Sequence, residues 1–347
     1  MQSKKSVYGQ LPTLECYYDI YVPKAKSALK SRLYFLFRKQ NCAVVSDYQG
    51  YVLIFGIFKF RKDMLLSKLK QRSKERGFSL IAGLNVIQSY ESTLHMAQEL
   101  KAIATSLDVE LVFKASCDKA NRTNEGAYRG PGMVKGLEYL ARLKQEMMDL
   151  AIVTDVHETH HCELVRKAGL DMIQIPAFLC RQTDLIHAAA DTGLPVLLKK
   201  GQFASVDVIK AAEIKIRSRP KNSGVIICER GTCVGPDQLV VDFKNLVLLR
   251  STTSPSLVAL DATHAAQRPA FRAREGKGSD GDLFVVQALA RAGVAVGIDC
   301  LFLEVHENPA LAPVDGKIQW PLKDLQLFLK ELLDISRASK WRSIQIL

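Results

Sequence analysis

The sequence predicts a (β/α)8 barrel behind a basic N-terminal extension. Three observations carry this. Eight short apolar runs each end in a polar or charged residue, a helix-like stretch follows almost every run, and no GxGxxG follows the first strand. The unit recurs about every 30 residues, the length a strand–helix–strand unit needs. Runs such as Leu150-Ala151-Ile152-Val153 are apolar throughout, the pattern of strands buried on both faces. A doubly wound sheet shares the alternation but does not need eight units.

The elements follow in order. Residues 1–76 lack clear periodicity until Lys59–Arg76, a basic stretch with Leu65, Leu66 and Leu69 on one possible helical face. A composition shift near Gly77 separates an extension, 1–76, from a barrel domain, 77–347. The first strand, Phe78–Ala82, leads to a helix over Ser89–Ser106. Glu110–Lys114 precedes Met133–Met148, and Leu150–Asp155 precedes His160–Ala168. Asp171–Gln174 leads to Gln182–Thr192, and Leu194–Lys199 to Val206–Arg217. Gly224–Glu229 is followed by a weak helical segment around Asp237–Leu249. Leu257–Asp261 and Leu283–Ala292 form the seventh pair, Cys300–Glu304 and Leu322–Ile335 the eighth. The connections Arg129–Gly132, Arg230–Thr232 and Arg274–Gly281 carry Gly-rich turn chemistry, as long loops at a barrel mouth often do.

Composition narrows the function. The chain has 347 residues, 48% of them hydrophobic, enough for a large core. No apolar run approaches the roughly 20 residues that span a bilayer. The net charge is +12, but residues 1–76 hold 16 Lys and Arg against 5 Asp and Glu, which leaves 32 against 31 for the rest. The basicity therefore belongs to the extension, read as a solvated or targeting segment, and no nucleic-acid partner is expected. The eight cysteines form no CxxC pair and sit in apolar stretches. That usage fits a reducing compartment, and a cytoplasmic location is expected.

Barrel chemistry sits where strands end, because those loops converge on one face. The strand ends carry Asn85, Lys114, Asp155, Gln174, Lys199, Arg230, His264 and Glu304. Such a ring reads as a site for an anionic, phosphorylated substrate, since arginine forks and lysine point charges suit phosphate and carboxylate. The segment Lys114-Ala115-Ser116-Cys117-Asp118-Lys119-Ala120-Asn121-Arg122-Thr123 adds two lysines and an arginine from a single strand end. Asp155, Asp261, His264, Glu304 and Asp315 supply carboxylates and an imidazole that could bind a metal or orient a water. His157-Glu158-Thr159-His160-His161 matches the HExxH pattern of zinc proteases. The motif abuts a strand, which places His157 in a loop rather than on a helix, so a zinc site is not expected there.

These residues resemble the 3-deoxy-manno-octulosonate 8-phosphate synthases, also called 2-dehydro-3-deoxyphosphooctonate aldolases. The resemblance covers about residues 78–338. It rests on FKASCDKANRTN at Phe113–Asn124, YRGPGM at Tyr128–Met133, TDVHE at Thr154–Glu158 and IQIPAFLCRQTDL at Ile173–Leu185. It continues through KKGQF at Lys199–Phe203, CERGT at Cys228–Thr232, DATH at Asp261–His264, EVH at Glu304–His306 and PVDGKIQWPL at Pro313–Leu322. The wording is nearest the plant-like members. The resemblance implies a barrel enzyme that condenses phosphoenolpyruvate with arabinose 5-phosphate and water, releasing 3-deoxy-octulosonate 8-phosphate and phosphate.

Carried over by position, the resemblance implies that Lys114, Ser116, Gln174, Lys199 and Arg230 bind phosphoenolpyruvate. Asn121, Arg122, Thr123 and Asp155 are implied for arabinose 5-phosphate. Lys119 would stand near the aldehyde oxygen, with His264, Glu304 and Asp315 around the attacking water. Members that use a divalent metal carry cysteine in the loop after strand one, and metal-independent members carry asparagine. Asn85 stands there, so no metal and no other cofactor is expected. An amide is a poor replacement for a thiolate on a transition metal. The resemblance also implies a homo-oligomer, a tetramer.

The chain departs from the family pattern at Leu84, Gln88, Val234, Pro236 and Phe284, and residues 1–76 match nothing in it. Two alternatives follow. One is a sibling enzyme that uses another aldose phosphate such as erythrose 4-phosphate. The other is a non-catalytic paralogue that keeps the barrel.

Overall fold

The computed structural model describes residues 55–122, 125–235, 238–250, 256–268 and 280–339. The chain divides into two compact units, Met1–Ile57 and Phe58–Leu347. The first lies almost entirely outside the described residues, and the second is the barrel.

Eight strands form the barrel: β1 (Ser79–Leu84), β2 (Leu111–Ala115), β3 (Ala151–Asp155), β4 (Met172–Ile175), β5 (Val196–Lys199), β6 (Val225–Glu229), β7 (Leu257–Asp261) and β8 (Cys300–His306). Each pairs in parallel with the next, and β1 pairs with β8, so the ring closes. The closing register sets Ser79 opposite Cys300 and Gly83 opposite Glu304. Closure leaves no free strand edge.

The helices are α1 (Phe55–Arg76), α2 (Tyr90–Ser106), α3 (Met133–Glu146), α4 (Thr159–Lys167), α5 (Thr183–Asp191), α6 (Val206–Arg217), α7 (Phe243–Leu249), the short α8 (Ala262–Ala265), α9 (Leu283–Val296) and α10 (Leu322–Ala338). Of the weak segment around Asp237–Leu249, Phe243–Leu249 is a helix of two turns. Ser89 caps α2 by accepting from Ser92 N, and Ser92 returns the bond in a capping box. Ser205, Asp242, Asp261 and Asp282 cap α6, α7, α8 and α9 in the same way.

Strand periodicity sorts the core into two layers. Outward residues such as Leu80, Phe113, Ile152 and Leu198 pack against the helices. Inward residues fill the lower barrel with Ile81, Val112, Val153, Met172, Leu197, Cys228, Ala259 and Phe302. Leu65 and Leu69 of α1 are buried in this same inner cluster. Ser79 Oγ donates to the Leu69 carbonyl at 3.0 Å, and Arg72 Nη2 lies 2.9 Å from Asp108 Oδ1. The last turns of α1, read from the sequence as part of the extension, therefore pack into the barrel. Leu65 and Leu69 face inward, with Leu66 partly buried beside them, because the open bottom of the ring offers apolar surface to cover.

Candidate active site

A period of two explains where the functional side chains point. Counting two residues on from each inward apolar residue reaches Lys114, Asp155, Gln174, Lys199, Arg230, Asp261 and Glu304. Side chains two apart in a strand share a face. The same face that is apolar at the bottom of the barrel thus becomes charged at its mouth. On β1 the corresponding position is Gly83, where a Cβ would collide with the Lys114 carbonyl. Glycine there lets β1 and β2 approach closely.

Lys114 and Glu304 form the centre. Lys114 Nζ donates to Glu304 Oε1 at 2.9 Å and reaches the Asn85 carbonyl at 3.4 Å, with both charged side chains almost wholly buried. Lys119, half-buried, places its Nζ 3.9 Å from the same Glu304 oxygen. Burial pushes the Lys114 pKa down, but the Glu304 and Asp155 carboxylates outweigh it and raise the value overall. Lys119 moves the other way, because burial and the neighbouring Lys114 charge lower it more than Glu304 lifts it. Two adjacent lysines are thus pushed apart in acidity. Burial works against ionised Glu304, yet His264, Lys114 and Lys119 pull its pKa down to about 2.

A second cluster joins β5 and β7. Lys199 donates to Asp261 Oδ2, and His264 Nδ1 lies 2.7 Å from the same oxygen. Asp261 Oδ1 accepts from His264 N at 2.8 Å, so one carboxylate caps α8 and holds both partners. The imidazole's other nitrogen lies 3.5 Å from Glu304 Oε2, which links the two clusters. The charges around it depress the Asp261 pKa despite burial. Lys199 Nζ also stands 3.3 Å above the ring centroid of Phe302, close enough for a cation–π contact.

A third cluster joins the loop after β1 to the connection after β8. Asn85 Nδ2 donates to Asp315 Oδ2 at 3.1 Å, and Gln267 Nε2 donates to the same oxygen at 3.3 Å. Asp315 is in the left-handed region with φ +51°, a conformation that aspartate tolerates better than most residues. Arg230 Nη2 donates to Gln267 Oε1 at 2.7 Å. Burial lowers the Arg230 pKa, against the pull of Asp261 and Glu229.

Asp155 ends β3 beside Gln174, its register partner on β4. Its Oδ2 lies 3.2 Å from His157 Nε2. His157 sits in the loop after β3, and α4 begins only at Thr159, so the HExxH residues do not share one helix. The His157 contact and the charges of Lys114 and Lys119 outweigh burial and keep Asp155 well below the usual carboxylate range.

The remaining candidates fall around this mouth. Ser116 is buried, Arg122 half-buried and Asn121 exposed, while Thr123 lies outside the described residues. Ser116 Oγ, Gln174 Oε1, Arg122 Nε and Arg230 Nη1 are buried without a hydrogen-bond partner among the described residues. Native proteins rarely leave such atoms alone, and a polar ligand or a water would satisfy them. Among the departures from the family pattern, Leu84 is buried, Gln88, Val234 and Phe284 are exposed, and Pro236 lies outside the described residues. Sequence reading missed Gln267 and Phe302. Phe302 was within reach, since it stands two residues before Glu304 on the same strand face. Gln267 offered no local signal.

His264, Glu304 and Asp315 present ligand atoms within 4.8 Å of one another, a spacing that suits a divalent ion. The neighbouring side chain, Asn85, donates an N–H to Asp315 and carries no ionisable donor. Three carboxylate and imidazole donors fit a metal, and this amide does not complete the set.

The family model described as DAHP synthetase I family matches residues 69–340. The 2-dehydro-3-deoxyphosphooctonate aldolase 1 of Arabidopsis thaliana is 49% identical over 265 residues, covering 76% of this chain and 90% of the relative. The aldolase of that name from Pisum sativum is 48% identical over 265 residues, with 76% and 90% covered. That from Fusobacterium nucleatum is 42% identical over 266 residues, with 77% and 93% covered. The matched region begins within α1 and takes in every strand of the ring, and the chain belongs to the DAHP synthetase I family, among its 2-dehydro-3-deoxyphosphooctonate aldolases.

Proposed function

We propose that the chain condenses phosphoenolpyruvate with arabinose 5-phosphate and water to form 3-deoxy-octulosonate 8-phosphate and phosphate. The observation that carries this reading is the ring of buried cations, Lys114, Lys199 and Arg230, beside buried polar atoms that lack partners among the described residues. Buried cations around unpaired donors suit a small dianion.

The roles are those the family resemblance implies, and the burial and contacts of the described residues support them. Lys114, Lys199 and Arg230 hold the phosphate and carboxylate of phosphoenolpyruvate, with Ser116 and Gln174 supplying neutral contacts. Asn121, Arg122, Thr123 and Asp155 take the sugar phosphate and its hydroxyls. Carbon 3 of phosphoenolpyruvate bonds to the aldehyde carbon while a water oxygen bonds to carbon 2. The aldehyde oxygen gains a proton, the carbon 2–oxygen bond to phosphate breaks, and the water's two protons go one to the departing phosphate and one to restore the proton donor. Lys119, with its acidity raised by burial and by Lys114, is placed to give that proton. His264 is held between Asp261 and Glu304 and orients the water. Fixed charges of this kind stabilise moving charge without reorganising.

The reaction is metal-independent in this reading. Asn85 holds Asp315 by a hydrogen bond where a thiolate would ligand an ion. The plant relatives are 48–49% identical and the bacterial ones 41–44%, which supports a plant-like member. The described cysteines, Cys117, Cys162, Cys180, Cys228, Cys233 and Cys300, are all free, which supports a reducing, cytoplasmic setting. No described helix is long and apolar enough to cross a membrane. The homotetramer rests on the family resemblance, and light scattering on the full chain checks it.

The test is phosphate release from the two substrates together, with and without a strong chelator. Release in both tubes is expected. Release that the chelator abolishes sinks the metal-independent reading alone, and release with erythrose 4-phosphate instead of arabinose 5-phosphate would reassign the sugar.

A further inference from the structure

Gln267 is the side chain that touches both ends of the site. Its Oε1 accepts from Arg230 Nη2 at 2.7 Å, and its Nε2 donates to Asp315 Oδ2 at 3.3 Å. An amide is the side chain for this position, because one end must accept from a cation and the other must donate to an anion. Arginine or lysine would repel Arg230, and a carboxylate would repel Asp315.

The backbone of Gln267 adds a third connection. Gln267 and Arg268 pair antiparallel with Asp280 and Gly281, Gln267 opposite Gly281. This short ladder joins the two ends of the connection between α8 and α9. Gly281 has no room for a side chain there, since a Cβ would collide with Ile318 three residues past Asp315. The base of that connection, the arginine and the aspartate are therefore held by one residue.

We propose that Gln267 is a positioning residue that couples Arg230 to Asp315, and so ties phosphoenolpyruvate binding at one wall of the mouth to the water-holding wall opposite. The proposal rests on the function assigned above. Arg230 keeps Nη1 buried and without a partner among the described residues, while Gln267 holds Nη2. The amide thus fixes the guanidinium plane with one edge free for the ligand. Asp315, which receives both Asn85 and Gln267 on one oxygen, is fixed from the other side.

Two variants separate the halves of the coupling. Gln267→Met keeps the length and removes both hydrogen bonds. Gln267→Glu keeps the acceptor for Arg230 but sets a carboxylate against Asp315. The expected result for Gln267→Met is a KM for phosphoenolpyruvate raised about tenfold, the scale of one hydrogen bond to a charged group, with the KM for arabinose 5-phosphate within about twofold of the parent. Gln267→Glu is expected to restore the KM for phosphoenolpyruvate and to lower kcat instead. A merely structural role predicts the two variants alike, and that result overturns the proposal. So does a Gln267→Met enzyme, folded by circular dichroism, with parental KM and kcat.

Calorimetric titration of the three proteins with phosphoenolpyruvate alone keeps the two readings apart. Weaker binding in Gln267→Met and recovered binding in Gln267→Glu support the coupling even if the parent turns nothing over, a result that would sink only the proposed reaction. Equal affinity in all three, or no binding to the parent, overturns the coupling.

Discussion

Asn85 and Asp315 are separated by 230 positions, yet the amide nitrogen of one donates to the carboxylate of the other at 3.1 Å. The bond exists because β1 closes the ring against β8, which brings the loop after each to the same arc of the mouth. It also fills the corner of the His264, Glu304 and Asp315 cluster with a donor. Asn85→Cys replaces this N–H with a thiol that can ionise on a metal. The expected outcome is a protein that copurifies with zinc or another soft divalent ion and loses phosphate release to a chelator, while the parent does neither. Elemental analysis with a chelator titration checks both.

Lys114 pairs with Glu304 at the centre of the mouth, both side chains almost wholly buried. Lys114→Met removes the main partner of buried Glu304 and one cation of the proposed phosphoenolpyruvate site. Loss of a fixed charge at a reacting centre lowers turnover by about 10²–10³-fold. Leaving a buried carboxylate short of its partner destabilises by roughly 3 kcal/mol, the lower end for a broken buried pair, because His264 and Lys119 remain nearby. Steady-state phosphate release and urea unfolding measure the two effects separately.

Glu304 makes stability depend on acid. Its folded pKa, about 2, lies below the ordinary 4.5. A depressed carboxylate contributes stability that is fully present above its unfolded pKa and is lost as pH falls through the folded one. The window therefore runs from about pH 4.5 down to about pH 2, and the full effect is about 3 kcal/mol at 1.4 kcal/mol per unit. Asp155 and Asp261 are shifted in the same direction. Glu304→Gln should flatten the fall in stability across that window, read by denaturant unfolding at successive pH values. An unchanged slope would show that Glu304 is not held ionised as described.

Leu69 tests whether α1 is part of the barrel. It is fully buried among the inward residues of the lower barrel. Leu69→Ala should cost about 2–5 kcal/mol in urea unfolding, as other buried leucine truncations do. Substrate KM values should stay within about twofold, since the site is at the opposite end of the strands. A cost below about 0.5 kcal/mol would mean that α1 does not pack there in solution.

Much of the barrel was legible along the chain because its rules are local. A strand buried on both faces shows as an apolar run, and a period of two decides which residues share a face. Lys114, Asp155, Gln174, Lys199, Arg230 and Glu304 were therefore readable as mouth residues from their own strands. Asp261 was readable as a carboxylate of the mouth, and the structure shows that it also caps α8. His157 of the HExxH pattern was readable as a loop residue, because its strand neighbour is local too.

The partners of those residues were not readable. Lys114 meets Glu304 across 190 positions, and Arg230 meets Gln267 across 37. Such pairings depend on where closure and connection lengths set the loops, and nothing in a window of residues encodes that. Gln267 looks like any polar residue after a short helix until Arg230 and Asp315 stand on either side. Leu65 and Leu69 show a helical apolar face, but the surface that face covers exists only once eight strands have closed. The sequence alone determined which residues face the mouth, through local periodicity. The tertiary structure decided which of them touch and hence which protonation states they hold, because those depend on charges brought near one another by distant parts of the chain.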